Sequence, residues 1–291
     1  MTTIDRTHTA SLGLVAGAMS LSASAVLLGL AATTPATASA ARCLFALPVV
    51  AALATTERGR HGALSRRACV WAGLCGMLFA ADMLWWTQSI PEVGAGLSTV
   101  LVNIQVALVP LLAWLIDGER VGVRFLWALP VILIGVLLAG GVFEHGVMGT
   151  NPTAGTVHAI AAALCYSGFL FLLRRGGQGG QPMQTYAVVL ASAAAVAISV
   201  GLVGHDLDVT PGWSTAGWLT LVTITGQLLG WLLVALYTPK LRSEVSSALL
   251  MLMPIGAIVL GALVLGERPT LLQLAGCVLV LVASYAGTVR R

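Results

Sequence analysis

Charge is what this 291-residue chain has least of. Only 9% of its residues are Asp, Glu, Lys or Arg, against 58% that are hydrophobic, and the mean hydropathy is +0.94. A soluble globular domain carries roughly 25% charged residues, so these few cannot clothe a water-facing surface. The usual catalytic signatures are missing as well. There is no Gly-x-x-x-x-Gly-Lys phosphate loop, no His-Glu-x-x-His and no Gly-x-Ser-x-Gly. The chain therefore has no means of using ATP and no recognisable intramembrane protease or lipid transferase centre. The five cysteines, Cys43, Cys69, Cys75, Cys165 and Cys277, form neither a Cys-x-x-Cys nor a Cys/His ligand spacing. They are expected to fill space as small apolar groups, with no disulfide, no metal and no cofactor.

What the chain does have is long apolar runs. A helix crossing a hydrocarbon core of roughly 30 Å needs about 20 apolar residues. Ten such stretches are present, at 11–31, 36–54, 68–90, 94–116, 125–142, 155–173, 186–204, 216–236, 246–265 and 271–289. The expected fold is an all-α integral membrane protein of ten transmembrane helices. With both termini cytoplasmic, alternate loops place 13 of the 15 Lys and Arg residues inside, leaving Arg42 and Arg268 on the outer half. Acidic residues show no such bias, as the positive-inside rule requires. The net charge of +4 is then mostly topology and needs no nucleic-acid partner. Ala38-Ser39-Ala40 has the small-x-small form of a signal-peptidase site, but Arg6 is offset by Asp5 and the first span is expected to be retained.

The tripeptide Gly-Glu-Arg occurs twice, at 118–120 and 266–268, each time directly after an apolar run. The same offset of 148 residues brings Pro91 onto Pro239, Ser98 onto Ser246, Thr99 onto Ser247 and Leu101 onto Leu249. This is the signature of an internal duplication, with repeats expected over 1–146 and 147–291. Five spans per repeat is an odd number, so the second half is expected to be inverted and the two tripeptides to face opposite sides. Inverted repeats build their site near the bilayer midplane, between the halves. The tripeptides themselves are expected to be structural: glycine ends a helix, while Glu and Arg cap or pair at the water interface.

Residues 80–120, AADMLWWTQSIPEVGAGLSTVLVNIQVALVPLLAWLIDGER, and 225–268, TGQLLGWLLVALYTPKLRSEVSSALLMLMPIGAIVLGALVLGER, share one pattern. A span is followed by a short turn with Pro, a small-residue start to the next span, a proline, and Gly-Glu-Arg. In this the chain resembles the EamA family of the drug/metabolite transporter superfamily, and the resemblance extends over ten spans with Arg42 early in the second. It implies a carrier of small metabolites or drugs working by alternating access, without implying a substrate. It also makes spans five and ten peripheral, facing lipid or a second subunit in a homodimer. Two features depart from the family pattern. The first span reads Ala18-Met19-Ser20-Leu21-Ser22 where a Trp-Gly pair is usual. The proline twelve residues before the Gly of the tripeptide is kept as Pro254, but Val106 stands there in the first half and Pro110 follows a turn later.

Asp82 is the only acid deep in a span, where insertion costs roughly 2.5–3.5 kcal/mol. Counted from the outer ends of their spans, Asp82 and Arg42 both lie about 9–12 Å deep. Two roles are open: Asp82 as a protonatable coupling or substrate-binding group, or an Asp82–Arg42 ion pair holding two spans together. Trp85 and Trp86 follow by one turn and suit a cation, or form an interfacial belt. Asn103 and Gln105 are two apart and on a regular helix point to different faces, so at most one is expected to reach the cavity. Tyr166, Gln227 and Trp231 are further polar or aromatic positions inside spans. Pro110 and Pro254 are expected to bend theirs as hinges. His158, near the outer end of span six, is expected to be structural. The leading expectation is a proton-coupled secondary transporter, an exporter of amines and aromatic cations if Asp82 dominates, of amino acids or anions if Arg42 does. A lipid flippase or scaffold of the same fold, or an importer, is the alternative.

Overall fold

The computed structural model describes residues 3–119, 122–144, 149–176, 180–241 and 243–288. Arg120, Arg242, Arg290 and Arg291, which enter the charge count above, lie outside them. Among the described residues every regular element is helical. The first half contains α1 (Thr3–Ala31), α2 (Pro35–His61), α3 (Arg66–Val93), α4 (Ala95–Val102), α5 (Gln105–Asp117) and α6 (Val123–Ala139). The second contains α7 (Pro152–Gly176), α8 (Pro182–Gly204) and α9 (Gly212–Val222). A π-helical stretch (Thr223–Gly230) then leads into α10 (Trp231–Tyr237), followed by α11 (Ser243–Leu250), α12 (Leu252–Leu260), a π-helical turn (Gly261–Leu265) and α13 (Leu271–Thr288).

Helix ends follow local chemistry. Thr34 accepts the N–H of Thr37 at 3.3 Å with Pro35 as the first helical residue of α2, and Ser65 accepts that of Ala68 at 3.2 Å to start α3. Gly118 and Gly266 close their helices in the left-handed conformation, φ 66° and 68°. Eight helical spans are long and apolar enough to cross a membrane, while Val123–Ala139 and Leu271–Gly287 are apolar but shorter. Crossing by this criterion is thus met eight times among the described residues, not the expected ten. At ~1.5 Å per residue a helix of some 17 residues reaches only about 26 Å, the lower limit for a span.

Packing pairs the two halves reciprocally. α3 lies along α7, and its counterpart in the duplication, the run α9–α10, lies along α1. Two elements meet their own counterparts, α2 meeting α8 and α6 meeting α13, while α4 meets α12, the counterpart of α5. The α6–α13 contact is close because both carry glycine there. A Cβ on Gly135 would come within 2.9 Å of the Gly276 carbonyl oxygen, and one on Gly276 within 2.6 Å of the Gly135 oxygen. The outside is apolar, with Leu12, Trp127, Val203, Trp213 and Leu271 all exposed, as a lipid-facing surface requires.

The fourth span is interrupted where the sequence did not place the bend. Asn103 and Ile104 separate α4 from α5, with the N–H groups of Asn103, Ile104 and Val106 each bonded three residues back instead of four. Pro110 sits well inside α5. In the second half the break falls at Met251, between α11 and α12, three residues before Pro254. Met251 and Asn103 are 148 residues apart, so the breaks coincide in the duplication although the prolines do not. Pro254 leaves the Leu250 carbonyl without its helical donor. In the first half an asparagine, whose side chain competes with helical backbone bonding, stands at the break itself.

Candidate functional site

Inside the bundle lies a cavity of about 310 Å³, at the lower end of the ~300–1,000 Å³ usual for small-molecule sites. Its wall is built from both halves: α1, α2, α3 and the broken fourth span on one side, α7, the α9–α10 run and the break at Met251 on the other. Nothing from α6, α8 or α13 lines it. Of the nine positions singled out in the sequence, Arg42, Asp82, Trp86, Asn103, Gln105, Tyr166, Gln227 and Trp231 all border the cavity, and Trp85 does not.

Arg42 and Asp82 share the cavity without meeting. Three ion pairs occur among the described residues, and Arg42–Asp82 is not one of them. The structural ion pair weighed above is therefore absent. Arg42 is 5% exposed, and its Nε and Nη1 are buried with no hydrogen-bond partner. Its guanidinium carbon lies 5.3 Å from the ring centroid of Trp86. Asp82 is 8% exposed. Burying either charge unpaired costs several kcal/mol, so what they lack inside the protein marks what a ligand can supply.

The helical period of α3 explains which tryptophan faces inward. Phe79, Asp82, Met83 and Trp86 line the cavity and fall at i, i+3, i+4 and i+7, one stripe of a helix. At 100° per residue Trp85 sits roughly 110° from the middle of that stripe. It stacks instead on His158, centroids 5.1 Å apart. His158 Nδ1 is 2.5 Å from the Glu92 carboxylate, which also accepts the Gln88 amide at 2.8 Å. This cluster ties α3 to α7 at one end, away from the cavity. Replacing Trp85 by Phe is expected to leave transport within twofold of the parent, whereas Trp86→Ala should weaken it about tenfold, the loss of one desolvated cation–π neighbour. Initial uptake rates of the two variants check this.

The expectation that only one of Asn103 and Gln105 reaches the cavity fails, because it assumed a regular helix. The break at Asn103–Ile104 turns both inward. Opposite them, the π-helical stretch widens the backbone around Gln227. Its carbonyl accepts the Tyr186 hydroxyl at 3.2 Å, the Thr225 carbonyl accepts Ser20 at 2.7 Å, and the Gln227 Oε1 is buried without a partner. Tyr166 and Trp231 meet edge to face at 6.1 Å. Thr99, Phe79, Met251 and Met253 also line the site and were not anticipated. The α3 stripe would have found Phe79, and the position paired with Asn103 by the duplication would have found Met251. Among the described residues no three His, Cys, Asp or Glu side chains cluster as a metal site.

Known proteins share the fold. A solved crystal structure superimposes with a TM-score of 0.64 over 96% of each chain at 19% identity, a likeness of fold alone. An uncharacterized transporter of Bacillus subtilis (strain 168), YxxF, is 24% identical over 230 residues, covering 78% of this chain and 72% of that protein. The model of the EamA-like transporter family matches twice, over residues 8–141 and 153–286, so this chain, a multi-pass membrane protein built from two repeats, belongs to the EamA-like transporter family.

Proposed function

We propose that the protein is a secondary transporter that carries a small zwitterionic solute out across the cytoplasmic membrane in exchange for protons. The observation that carries this reading is that Arg42 and Asp82 stand on the wall of one cavity with no ion pair between them, the Nε and Nη1 of Arg42 buried without a partner. A solute bearing both a carboxylate and an ammonium group answers both, while a purely cationic or anionic one leaves the other charge stranded. Gln227 Oε1, free to accept a hydrogen bond, adds a place for the ammonium. Phe79, Trp86, Met83 and Met253 supply an apolar wall for the rest of the solute.

The route follows from the duplication. In this reading residues 1–146 and 147–291 are inverted five-span repeats, α6 and α13 complete the ten spans, and both termini are cytoplasmic. The reciprocal packing of the halves and the 13-to-2 arginine and lysine count support it. The cavity lies at their interface, so rocking one half against the other opens it to each face in turn. Asp82 is the coupling group, taking a proton on one side and exchanging it for the solute.

The test uses proteoliposomes and three matched probes: leucine, its decarboxylated amine 3-methylbutylamine, and its deaminated acid 4-methylpentanoate. Leucine is expected to exchange at least about tenfold faster than either singly charged probe, the cost of one unmatched buried charge. Asp82→Asn should abolish the response to an imposed pH gradient while leaving leucine counterflow measurable. Preference for a singly charged probe would overturn the zwitterion assignment, and an unchanged pH response would overturn the role of Asp82.

A further inference from the structure

The two Gly-Glu-Arg turns share a backbone and differ in what their glutamates hold. The Glu119 N–H bonds back to the Ala113 carbonyl at 3.3 Å and the Glu267 N–H to the Gly261 carbonyl at 3.1 Å, positions 148 residues apart. Glu119 is exposed and pairs with Arg174. Glu267 reaches into the other half of the molecule. Its Oε1 accepts the N–H of Ala95 at 2.5 Å and its Oε2 that of Gly96 at 3.1 Å. These are donors of the first turn of α4, which has no side-chain cap of its own. Glycines leave room for the carboxylate. A Cβ on Gly94 would lie 3.2 Å from the Glu267 carboxyl carbon, one on Gly96 3.2 Å from Oε2, and one on Gly261 2.9 Å from the carboxyl carbon.

The duplication carries Gly94, Gly96 and Gly261 onto Arg242, Glu244 and Ala113. The sequence of the opposite end therefore offers no such cradle, and it places an acid where Gly96 stands. An acid there repels a second carboxylate instead of receiving it.

We propose that Glu267 is a one-sided latch. By capping α4 from the opposite half it holds the two repeats together at this end of the bundle, and it must let go before the cavity opens there. The geometry ties the latch directly to the site, since α4 carries Thr99 and ends against Asn103, both on the cavity wall. A carboxylate on two backbone N–H groups at a helix start is a charge-assisted contact favoured by the helix dipole. Glu119, the equivalent glutamate at the other end, pairs with Arg174 instead, so the conformer closed by Glu267 is the favoured one, and the cycle is biased toward it.

This inference rests on the transport reading, but its test needs no solute. In a background in which the five native cysteines are replaced, a single Val102→Cys reporter is placed on the cavity wall. An impermeant maleimide is then applied to sealed vesicles from the face bearing the Gly266 turn. Glu267→Ala is expected to raise the labelling rate roughly tenfold, and Glu119→Ala to leave it unchanged. Should the alanine variant fold poorly, the isosteric Glu267→Gln, which loses the charge and one acceptor, decides the matter with a smaller rise. Labelling that stays at the parent rate, or that rises equally with Glu119→Ala, overturns the latch. Failure of the leucine exchange assay with intact latch behaviour would instead count against the solute assignment.

Discussion

Replacing Arg42 by methionine is expected to slow leucine exchange about a hundredfold while leaving the detergent-solubilised protein at least as heat-stable as the parent. The two effects point in opposite directions because of how Arg42 is held. Its Nε and Nη1 are buried with no partner, and the nearest acid, Asp82, forms no ion pair with it. An unpaired guanidinium is a cost to the fold, and methionine of similar length removes that cost. Under the proposed zwitterion reading the loss to transport comes from the solute's carboxylate, since truncating one side of a buried charge contact costs about 2–5 kcal/mol. Arg42→Lys keeps the charge but not the planar fork, so it is expected to fall between the two. Melting curves followed by size-exclusion chromatography and leucine exchange rates read the two effects separately. A fall of several degrees in melting temperature with unchanged exchange would show that Arg42 serves the fold and not the solute.

The positions of Arg42 and Asp82 were legible because a charge inside a span has few tolerable surroundings. Depth counted along each helix was enough to put them at one level, and they border one cavity. Whether they touch was not legible, since a few ångströms of side-chain reach lie below anything a sequence period resolves. The α3 stripe was legible in principle: Phe79, Asp82, Met83 and Trp86 follow the helical repeat, and Trp85 falls off it. Asn103 and Gln105 were misjudged for the opposite reason. Helical periodicity presumes helix, and the chain leaves it at Asn103–Ile104, a break announced by no proline nearby. The π-helical stretch around Gln227 is likewise invisible to a pattern built on 3.6 residues per turn. The duplication gave the second Gly-Glu-Arg its place at a turn, but not its capping of α4. That contact joins residues 95 and 267, which no local rule connects.

The largest loss of stability is expected far from the cavity, at Gly276. Its missing Cβ would stand 2.6 Å from the Gly135 carbonyl oxygen and 2.8 Å from Leu138 Cβ. An oxygen of the backbone cannot rotate aside, so Gly276→Val forces α6 and α13 apart along their whole contact. Overpacking typically costs about 1–3 kcal/mol, and a clash with main chain belongs at the upper end. In lipid this loss is not recovered by solvation, because close packing is itself what holds apolar helices together. The same helices contribute nothing to the cavity wall, so leucine affinity measured on the surviving folded protein should stay within about twofold of the parent. Gly135→Ala alone is expected to act in the same direction and more weakly. Its Cβ would stand 2.9 Å from both the Gly276 oxygen and the Val280 nitrogen, a longer approach to main chain than at Gly276, made by a smaller side chain. If Gly276→Val instead lowered affinity as steeply as stability, the α6–α13 pair would be acting on the cavity through the fourth span. α4 does touch both helices, which makes that route the one to examine, by repeating the maleimide labelling of Val102→Cys in the Gly276→Val background.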